Sequence, residues 1–473
     1  MNAVPLPAAH PRPPRQVFVF GTGDMGQFGL GTLVLDEIPQ PRLHSWFESA
    51  AESGILGGPG AGVERICTGG MHTLVVDEQG YVWSWGINDH ASLGRPTSNV
   101  LDPDNPQEIL EAEILETQPM ILQSLVDEGF RAVDVAAGDS VSVALGDRGE
   151  IRVWGSFRAS DGLLGFDGKP GSPKTQSIPI ALPSLSNITF VQVACGTDHV
   201  LALTAQGTVY VWGNGQQAQL GRRIIERRKV NGLSPERLAL RRIKLIGTGS
   251  YHSFAVTETG VVYAWGLNNM RQTGVSVELG GDEDIIWSPT EVTALNPERL
   301  GNGRRVVQIC GGEHHTIFLL SDGQVYGCGR CDGFEVGLAD DHPAMIELRR
   351  RTPSSDSDIL DEFIAEPTHI AFPPPPTARK PNPPVPAYSR SLSISPPSNP
   401  IAHISVGTRH NLAVSRNGDI YSWGVGSSCQ LGLGATVDSQ QVPTRVVCEA
   451  LDSWFVEDAA AGGQHCMLLA VPV

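Results

Sequence analysis

The sequence predicts an all-β fold, a seven-bladed β-propeller, and three observations carry that prediction. One motif recurs with its internal spacing kept: Gly-x-x-His, a glycine eight residues on, and an aromatic-Gly pair six residues later, as in Gly196-Thr-Asp-His199, Gly207 and Trp212-Gly213. The residues between these landmarks alternate like short strands joined by a tight turn. The last copy is cut short by the end of the chain, and the first residues supply its missing half. A fixed local period marks units that cannot bury an apolar face alone and must stack on their neighbours.

With the histidine slot as reference, seven copies align at His72, Val141, His199, His252, His315, His410 and His465. Glycine stands three residues before each, at Gly69, Gly138, Gly196, Gly249, Gly312, Gly407 and Gly462. It returns eight residues after as Gly80, Gly149, Gly207, Gly260, Gly323 and Gly418, and fourteen after as Gly86, Gly155, Gly213, Gly266, Gly329 and Gly424. The stretch from His199 through Gly207 to Gly213 reads strand, turn, strand, with Gly207 supplying a positive-φ turn. Its β-branched and aromatic residues favour strands. The seventh copy stops at Val473, and Val17-Phe-Val-Phe-Gly21 followed by Gly29 completes it, matching the trailing Gly94, Gly221 and Gly432. Sharing one blade between the termini latches a ring, which favours seven closed blades over an open solenoid.

Composition agrees with this fold and narrows the function. Fifty-four glycines and 35 prolines suit a turn-rich all-β chain. No apolar run is long enough to span a bilayer, and the N-terminal MNAVPLPAAHPRPPRQ lacks the apolar segment of a secretory signal, so an intracellular protein with reduced cysteines is expected. A net charge of −17 favours basic partners and opposes general nucleic-acid binding.

Most repeat residues are explained by the ring itself. Six histidines at one repeated slot are expected to tie blades together through backbone hydrogen bonds, and they are spread too evenly to share a metal. Trp85, Trp154, Trp212, Trp265 and Trp423 occupy core slots, and Cys328 takes the same slot in its copy. Cys67, Cys195 and Cys310 stand where other copies use alanine, so they are read as packing residues. A lone Cys328-Gly-Arg-Cys331 lacks a second pair of zinc ligands. No metal and no cofactor are expected. Val141 in a histidine slot is expected to cost one buried hydrogen bond, about 1 kcal/mol.

Several segments depart from the repeat: Gly21-Thr-Gly-Asp24-Met-Gly-Gln-Phe-Gly-Leu-Gly31, Ala137-Gly-Asp139-Ser, Trp154-Gly-Ser-Phe-Arg158, Cys195-Gly-Thr-Asp198-His199 and Gly311-Gly-Glu-His314-His315-Thr. With them the chain, from about Gln16 to Leu469, resembles the regulator of chromosome condensation family, whose founding member is the nucleotide exchange factor for the small GTPase Ran. The resemblance implies a guanine nucleotide exchange factor that performs no bond chemistry and is nuclear, chromatin-associated and monomeric. It places GTPase contacts at Asp24, Asp139, Asp198, Glu313, His314 and His315, with His314 favoured of the two histidines because the fold already accounts for His315. Asp198 would accept bonds from a donor near the GTPase phosphate loop. The lengthened loop Ser156, Phe157, Arg158, Ala159, Ser160, Asp161, Gly162, Leu163 matches the family's wedge. The family also includes plant ultraviolet receptors, but their Gly-Trp-Arg-His repeats are absent here.

Three segments lie outside the repeat pattern. Residues 222–244 carry nine Lys/Arg against two Glu, a reversal of sign on an acidic chain. They fall where the family's exchange factor contacts histones and DNA, so Arg222, Arg223, Arg227, Arg228 and Lys229 are the candidate chromatin contacts. His315 and His410 are 95 residues apart, and the excess, 345–400, holds an arginine triplet, an acidic stretch and twelve prolines after Glu366. It is expected to be extended and disordered, with Pro381–Pro386 as an SH3-ligand pattern and Ser395-Pro396 as a phosphorylation pattern. Residues 1–15 form a short proline-rich arm with only Arg12 and Arg15 as basic residues, so no import signal is evident there.

Two readings stay open at this stage. One is a Ran-type exchange factor docked on chromatin. The other is a propeller scaffold or ubiquitin-pathway adaptor of the same superfamily, without exchange activity, because fold alone does not fix function.

Overall fold

In each repeat the chain climbs an inner strand, turns through Gly-x-x-His, descends a second strand, reverses at the +8 glycine and climbs a third. A variable loop then leads down an outer strand to the next repeat. The third blade shows the plan with strands Phe190–Cys195, His199–Thr204, Val209–Gly213 and Glu236–Arg237. The computed structural model of the chain places seven such four-stranded antiparallel sheets in a ring, with one extra two-stranded hairpin. It describes residues 2–7, 13–102, 105, 107–351, 362–376 and 399–473.

Two glycines show why the motif is so regular. The ring of His199 folds back over Gly196, where a Cβ would lie 2.1 Å from the imidazole Cε1 and 2.5 Å from the Gly249 carbonyl of the next blade. Gly213 has φ +122, and a Cβ there would meet the Asp198 carbonyl at 2.4 Å. A side chain at either position would push apart a turn or a blade junction.

The second strands, such as His199–Thr204 and His315–Leu320, are buried along their whole length. Blades pack on both of their faces, so these strands read as continuous apolar runs instead of half-buried alternation. The core therefore lies between blades. One apolar cluster joins Leu412 and Val414 of the sixth blade to Phe18, Phe20 and Leu468 of the seventh and Val75 and Trp85 of the first. The seventh blade is shared by the termini as expected: Trp454–Ala461, His465–Pro472, Gln16–Gly21 and Ile38–Leu43, with Gln16 opposite Ala470 and Gly21 opposite His465.

The repeat histidines bind side chains of the next blade, not backbone. Nε2 of His72, His199, His252, His315, His410 and His465 meets Ser142, Ser253, Thr316, Asn411, Cys466 and Thr73 in turn, at 2.7–3.1 Å. Each of those partners also donates to a carbonyl of the preceding blade's upper loop, as Ser142 Oγ does to Ser92. The hydroxyl or thiol proton is spent there, and Asn411 presents its Oδ1, so the histidine is the Nε2–H donor. The same carbonyls accept four of the five core indoles, as Trp154 Nε1 donates to Ser92 O at 2.8 Å and Trp265 Nε1 to Gln219 O at 2.9 Å, whereas Trp212 Nε1 is buried without a partner among the described residues. Cys328 takes this role with its thiol toward Gln272 O.

The junction after Val141 lacks the pair on both sides, because Val200 fills the position that carries Ser, Thr, Asn or Cys elsewhere. No donor is orphaned by Val141, and replacing both partners by apolar groups is close to neutral. The expected loss of about 1 kcal/mol therefore does not arise from this residue.

The structure also shows contacts of the arm and revises two boundaries. Within the arm, Asn2 N–H donates to Ala205 O at 2.8 Å and Asn2 Nδ2 to Ile243 O at 2.8 Å, while Arg15 pairs with Glu457 at 2.5 Å. The basic segment 222–244 is not one loop. Residues 222–235 lie on the upper end of the ring, where the Gly-x-x-His turns are, Glu236–Arg237 is an outer strand, and Arg241 and Arg242 lie at the lower end.

The segment 345–400 is likewise two insertions around a strand. Helix Pro343–Arg351 belongs to the fifth blade's upper loop, and Phe363–Ile370 is that blade's outer strand. The second insertion leaves from the lower end between Pro373 and Asn399, whose Nδ2 bonds Pro373 O at 2.9 Å and the Tyr421 hydroxyl at 2.8 Å. Residues 363–370, expected to be disordered, are thus a strand of the blade. Pro381–Pro386 and Ser395-Pro396 lie outside the described residues.

Candidate functional site

The ring brings the departures from the repeat to one end. Asp139, Asp198 and the Glu313–His314 pair stand in turns between inner and second strands of the second, third and fifth blades. Asp24, the lengthened loop from Ser156 and residues 222–235 stand in loops between third and outer strands. Both kinds of loop open on the upper end, so every candidate residue except His315 faces the same way or sits just beneath that face.

The lengthened loop folds into the extra hairpin, Phe157–Ala159 with Gly162–Gly165. Arg158 pairs with Leu163 and Ala159 with Gly162. Its root is apolar: Phe157 is fully buried and clusters with Leu164, Phe166 and Leu233. Ser156 is buried behind it, while Arg158, Ser160, Asp161 and Gly162 are exposed. Root in the core and polar tip in solvent make it a rigid projection from the face.

Asp198 sits under this hairpin, only 8% exposed, and its Oδ1 accepts the Arg158 backbone N–H at 2.7 Å. Burial pushes its carboxyl up to about 7, opposed by the Arg158 N–H and reinforced by Asp139. The side chain expected to reach a partner is thus already bonded inside the molecule, holding the first strand of the hairpin. Asp139 is exposed beside it, and its carboxyl is also raised, mainly by desolvation, with Arg158 opposing and Asp89 and Glu313 adding. Asp24 is exposed, with Gln27 Nε2 3.3 Å from Oδ1.

The two adjacent histidines separate cleanly. His315 is 1% exposed and bonded to Asn411 Oδ1 at 2.9 Å, so it is a blade tie and cannot touch a partner. His314 is half-buried at the surface, with Gln272 Nε2 3.4 Å from Nδ1 and Glu313 3.8 Å from Nε2. Burial lowers its pKa, with Glu313 opposing.

Two members of this rim escaped the sequence reading. Tyr251 stands in the fourth blade's upper turn, its hydroxyl pKa raised mainly by burial, with Asp139, Glu313 and Asp198 adding. Arg409 bonds the buried Glu335 at 2.6 Å and Asp332 at 2.8 Å beside His314. Both occupy the position just before a repeat histidine, the same position as Asp198 and His314, so that slot as a whole was the available signal.

The basic candidates divide. Lys229 Nζ lies 2.5 Å from Asp161 and 3.4 Å from Glu226, and Arg222 turns to Glu236 at 3.4 Å. Arg223, Arg227 and Arg228 are exposed, and Arg223 stacks over Trp287 at 5.8 Å. The three inner cysteines Cys67, Cys195 and Cys310 line the axial channel of about 610 Å³, and burial raises their thiol pKa values. Among the described residues no cluster of His, Cys, Asp or Glu could hold a metal ion, and no helix is long and apolar enough to cross a membrane.

The sequence pattern of the RCC1-like domain matches residues 16–468, the whole ring from its first strand. The chain belongs to that family. It is 36% identical to Protein pim1 of Schizosaccharomyces pombe, over 96% of this chain and 74% of that protein. It is 35% identical to the guanine nucleotide exchange factor SRM1 of Saccharomyces cerevisiae, over 95% of this chain and 86% of the relative. The crystal structure of Prp20p of the same yeast, described with its binding to Gsp1p and histones, superposes with a TM-score of 0.79 at 32% identity, covering 98% of this chain and 93% of Prp20p. RCC1-like membership accounts for the seven-bladed ring and its shared blade.

Proposed function

We propose that this chain is a guanine nucleotide exchange factor for a Ran-type small GTPase, binding the GTPase on its upper face with the hairpin Phe157–Gly165 as wedge. The observation that carries the reading is the convergence of Asp24, Asp139, Glu313, His314 and the hairpin, held from below by Asp198, on one rigid end of the ring. The similarity to a named exchange factor and to a structure described with Gsp1p supports it.

Exchange requires the factor to bind the nucleotide-free GTPase more tightly than the loaded one, and by linkage the factor then weakens nucleotide binding by the same ratio. A rim of carboxylates suits that preference. It attracts the basic residues that surround a nucleotide's phosphates and repels the phosphates themselves. Only a projection can reach past the rim, and the hairpin is that projection. Exposed Arg223, Arg227 and Arg228 form a basic patch on the acidic body, and we assign them to a histone or nucleosome surface; Arg222 and Lys229 serve internal contacts. This reading makes the protein nuclear and chromatin-associated.

Gel filtration with purified Ran tests it. A stable complex is expected with nucleotide-free Ran, dissociated by added GDP or GTP. A complex indifferent to nucleotide would support a scaffold instead. Arg223→Ala/Arg227→Ala/Arg228→Ala is expected to weaken nucleosome binding and leave the Ran complex intact; unchanged nucleosome affinity would remove the chromatin assignment.

A further inference from the structure

An isolated two-stranded hairpin is marginal in water, and only three cross-strand pairs hold this one. Its tip, Ser160 to Gly162, lies in solvent and draws nothing from the apolar root. The tip is nevertheless held from outside, by the upper loop of the neighbouring third blade. Gln216 Oε1 accepts the Ser160 N–H at 2.9 Å, and Gln216 Nε2 donates to Ser160 Oγ at 3.0 Å and to Glu226 Oε1 at 3.1 Å. Asn214 Oδ1 fixes the Gln216 backbone N–H at 2.9 Å. Lys229 Nζ bridges Asp161 of the tip and Glu226 of the loop. Lower down, Leu233 joins the cluster of Phe157, Leu164 and Phe166, and a Cβ on Gly168 would meet Val230 O at 2.6 Å.

We propose that Gln216 and Lys229 are positioning residues for nucleotide exchange, through which the third-blade loop buttresses the wedge hairpin of the second blade. The inference rests on the exchange reading above. It moves Lys229 from a phosphate-binding role to an internal one. A lysine answering to chromatin would point its ammonium outward, whereas this one lies between two carboxylates with its side chain 21% exposed. A displacing element converts binding energy into nucleotide release only if it is held in one orientation beforehand. The buttress supplies that at a point the apolar root cannot reach.

The test uses the full chain, Ran loaded with fluorescent GDP, and four variants: Lys229→Asp, Asp161→Lys, the double exchange of the two, and Gln216→Ala. All changes lie at the surface, and a thermal melt checks each fold. Each single reversal is expected to lower kcat about fivefold with KM within about twofold, the scale of one exposed ion pair. The double exchange should recover to within about twofold of the original kcat, and Gln216→Ala should resemble the single reversals. Amide hydrogen exchange over 157–165 in the free protein should rise in the singles and fall back in the double. Wild-type kcat and unchanged hairpin protection in the singles would overturn the proposal. So would a double variant no better than its parents in both readouts. If the parent protein fails to release GDP at all, the exchange reading falls, and hairpin protection alone then decides whether the buttress exists.

Discussion

Removing the Asp198 carboxylate separates hairpin placement from global stability, because two opposed energies meet at that atom. The 2.7 Å bond from the Arg158 N–H is charge-assisted when the carboxylate is ionised, a class worth about 1.5–3 kcal/mol. Against it stands the burial that lifts the carboxyl to about 7. Relative to a free aspartate near 3.8, that corresponds to about 4 kcal/mol for keeping it ionised at high pH. Asp198→Ala therefore loses the wedge tie and gains relief from a buried charge, and at pH 8 the melting temperature should stay within about 3 °C of the parent. The wedge strand loses its anchor, and kcat for GDP release should fall at least about tenfold, the rate equivalent of roughly 1.4 kcal/mol.

Asp198→Asn keeps an acceptor of the same shape and should stay within about threefold of the parent rate. The sign of the pH effect follows from the raised folded pKa. Stability from the protonated form is fully present below about 4 and is lost as pH rises through about 7, so the parent should weaken relative to Asp198→Asn between those values. His199→Ala is the control: it empties a fully buried site and breaks the 2.8 Å tie to Ser253, and should cost about 2–4 kcal/mol of stability. GDP-release kinetics and thermal melts on the three variants measure all of this. Parent-like exchange in Asp198→Ala, or equal melting losses for Asp198→Ala and His199→Ala, would refute the reasoning.

Other outcomes follow from the junctions. Val141→His alone should destabilise by about 1–3 kcal/mol, since Val200 gives the new imidazole no partner. Adding Val200→Ser should recover much of that, read as a positive coupling in a denaturation cycle; simple additivity would contradict the pairing. Burial lowers the pKa of His72 to about 4 and of His199, His410 and His465 to about 3, and also lowers those of His252 and His315. Their stabilisation is present above the ordinary value near 6.5 and lost as pH falls toward 4, so urea midpoints should drop steeply across that interval and flatten above pH 7. A flat profile from pH 4 to 7 would count against neutral buried histidines.

The ring was legible because its glycines and histidines answer to backbone sterics that hardly vary from blade to blade. Gly196 must clear the His199 ring in every repeat, so the spacing survives where the loops do not. The same regularity made Asp198, His314 and the long 156–163 loop stand out. What the repeat could not give was anything decided between blades. The partner of each histidine is a side chain some 54 to 96 residues away in the cyclic order, and Val200 explains Val141 only once the two are seen to face each other. The strand Phe363–Ile370 was hidden because long insertions on both sides break the ruler and Pro367 interrupts its pattern. Lys229 read as part of a charge run because nothing local ties it to Asp161, 68 residues earlier. Tyr251 and Arg409 carried a weak signal, the slot before each histidine, that becomes visible only when the seven turns share one rim.

The most direct test of the central claim is the initial rate of fluorescent GDP release from Ran as the concentration of this protein is raised. A catalytic, saturable increase at protein levels well below those of Ran is the expected result, strongly reduced by Asp198→Ala at unchanged fold. Release at the spontaneous rate across the whole range, from protein with an intact melting transition, would contradict it.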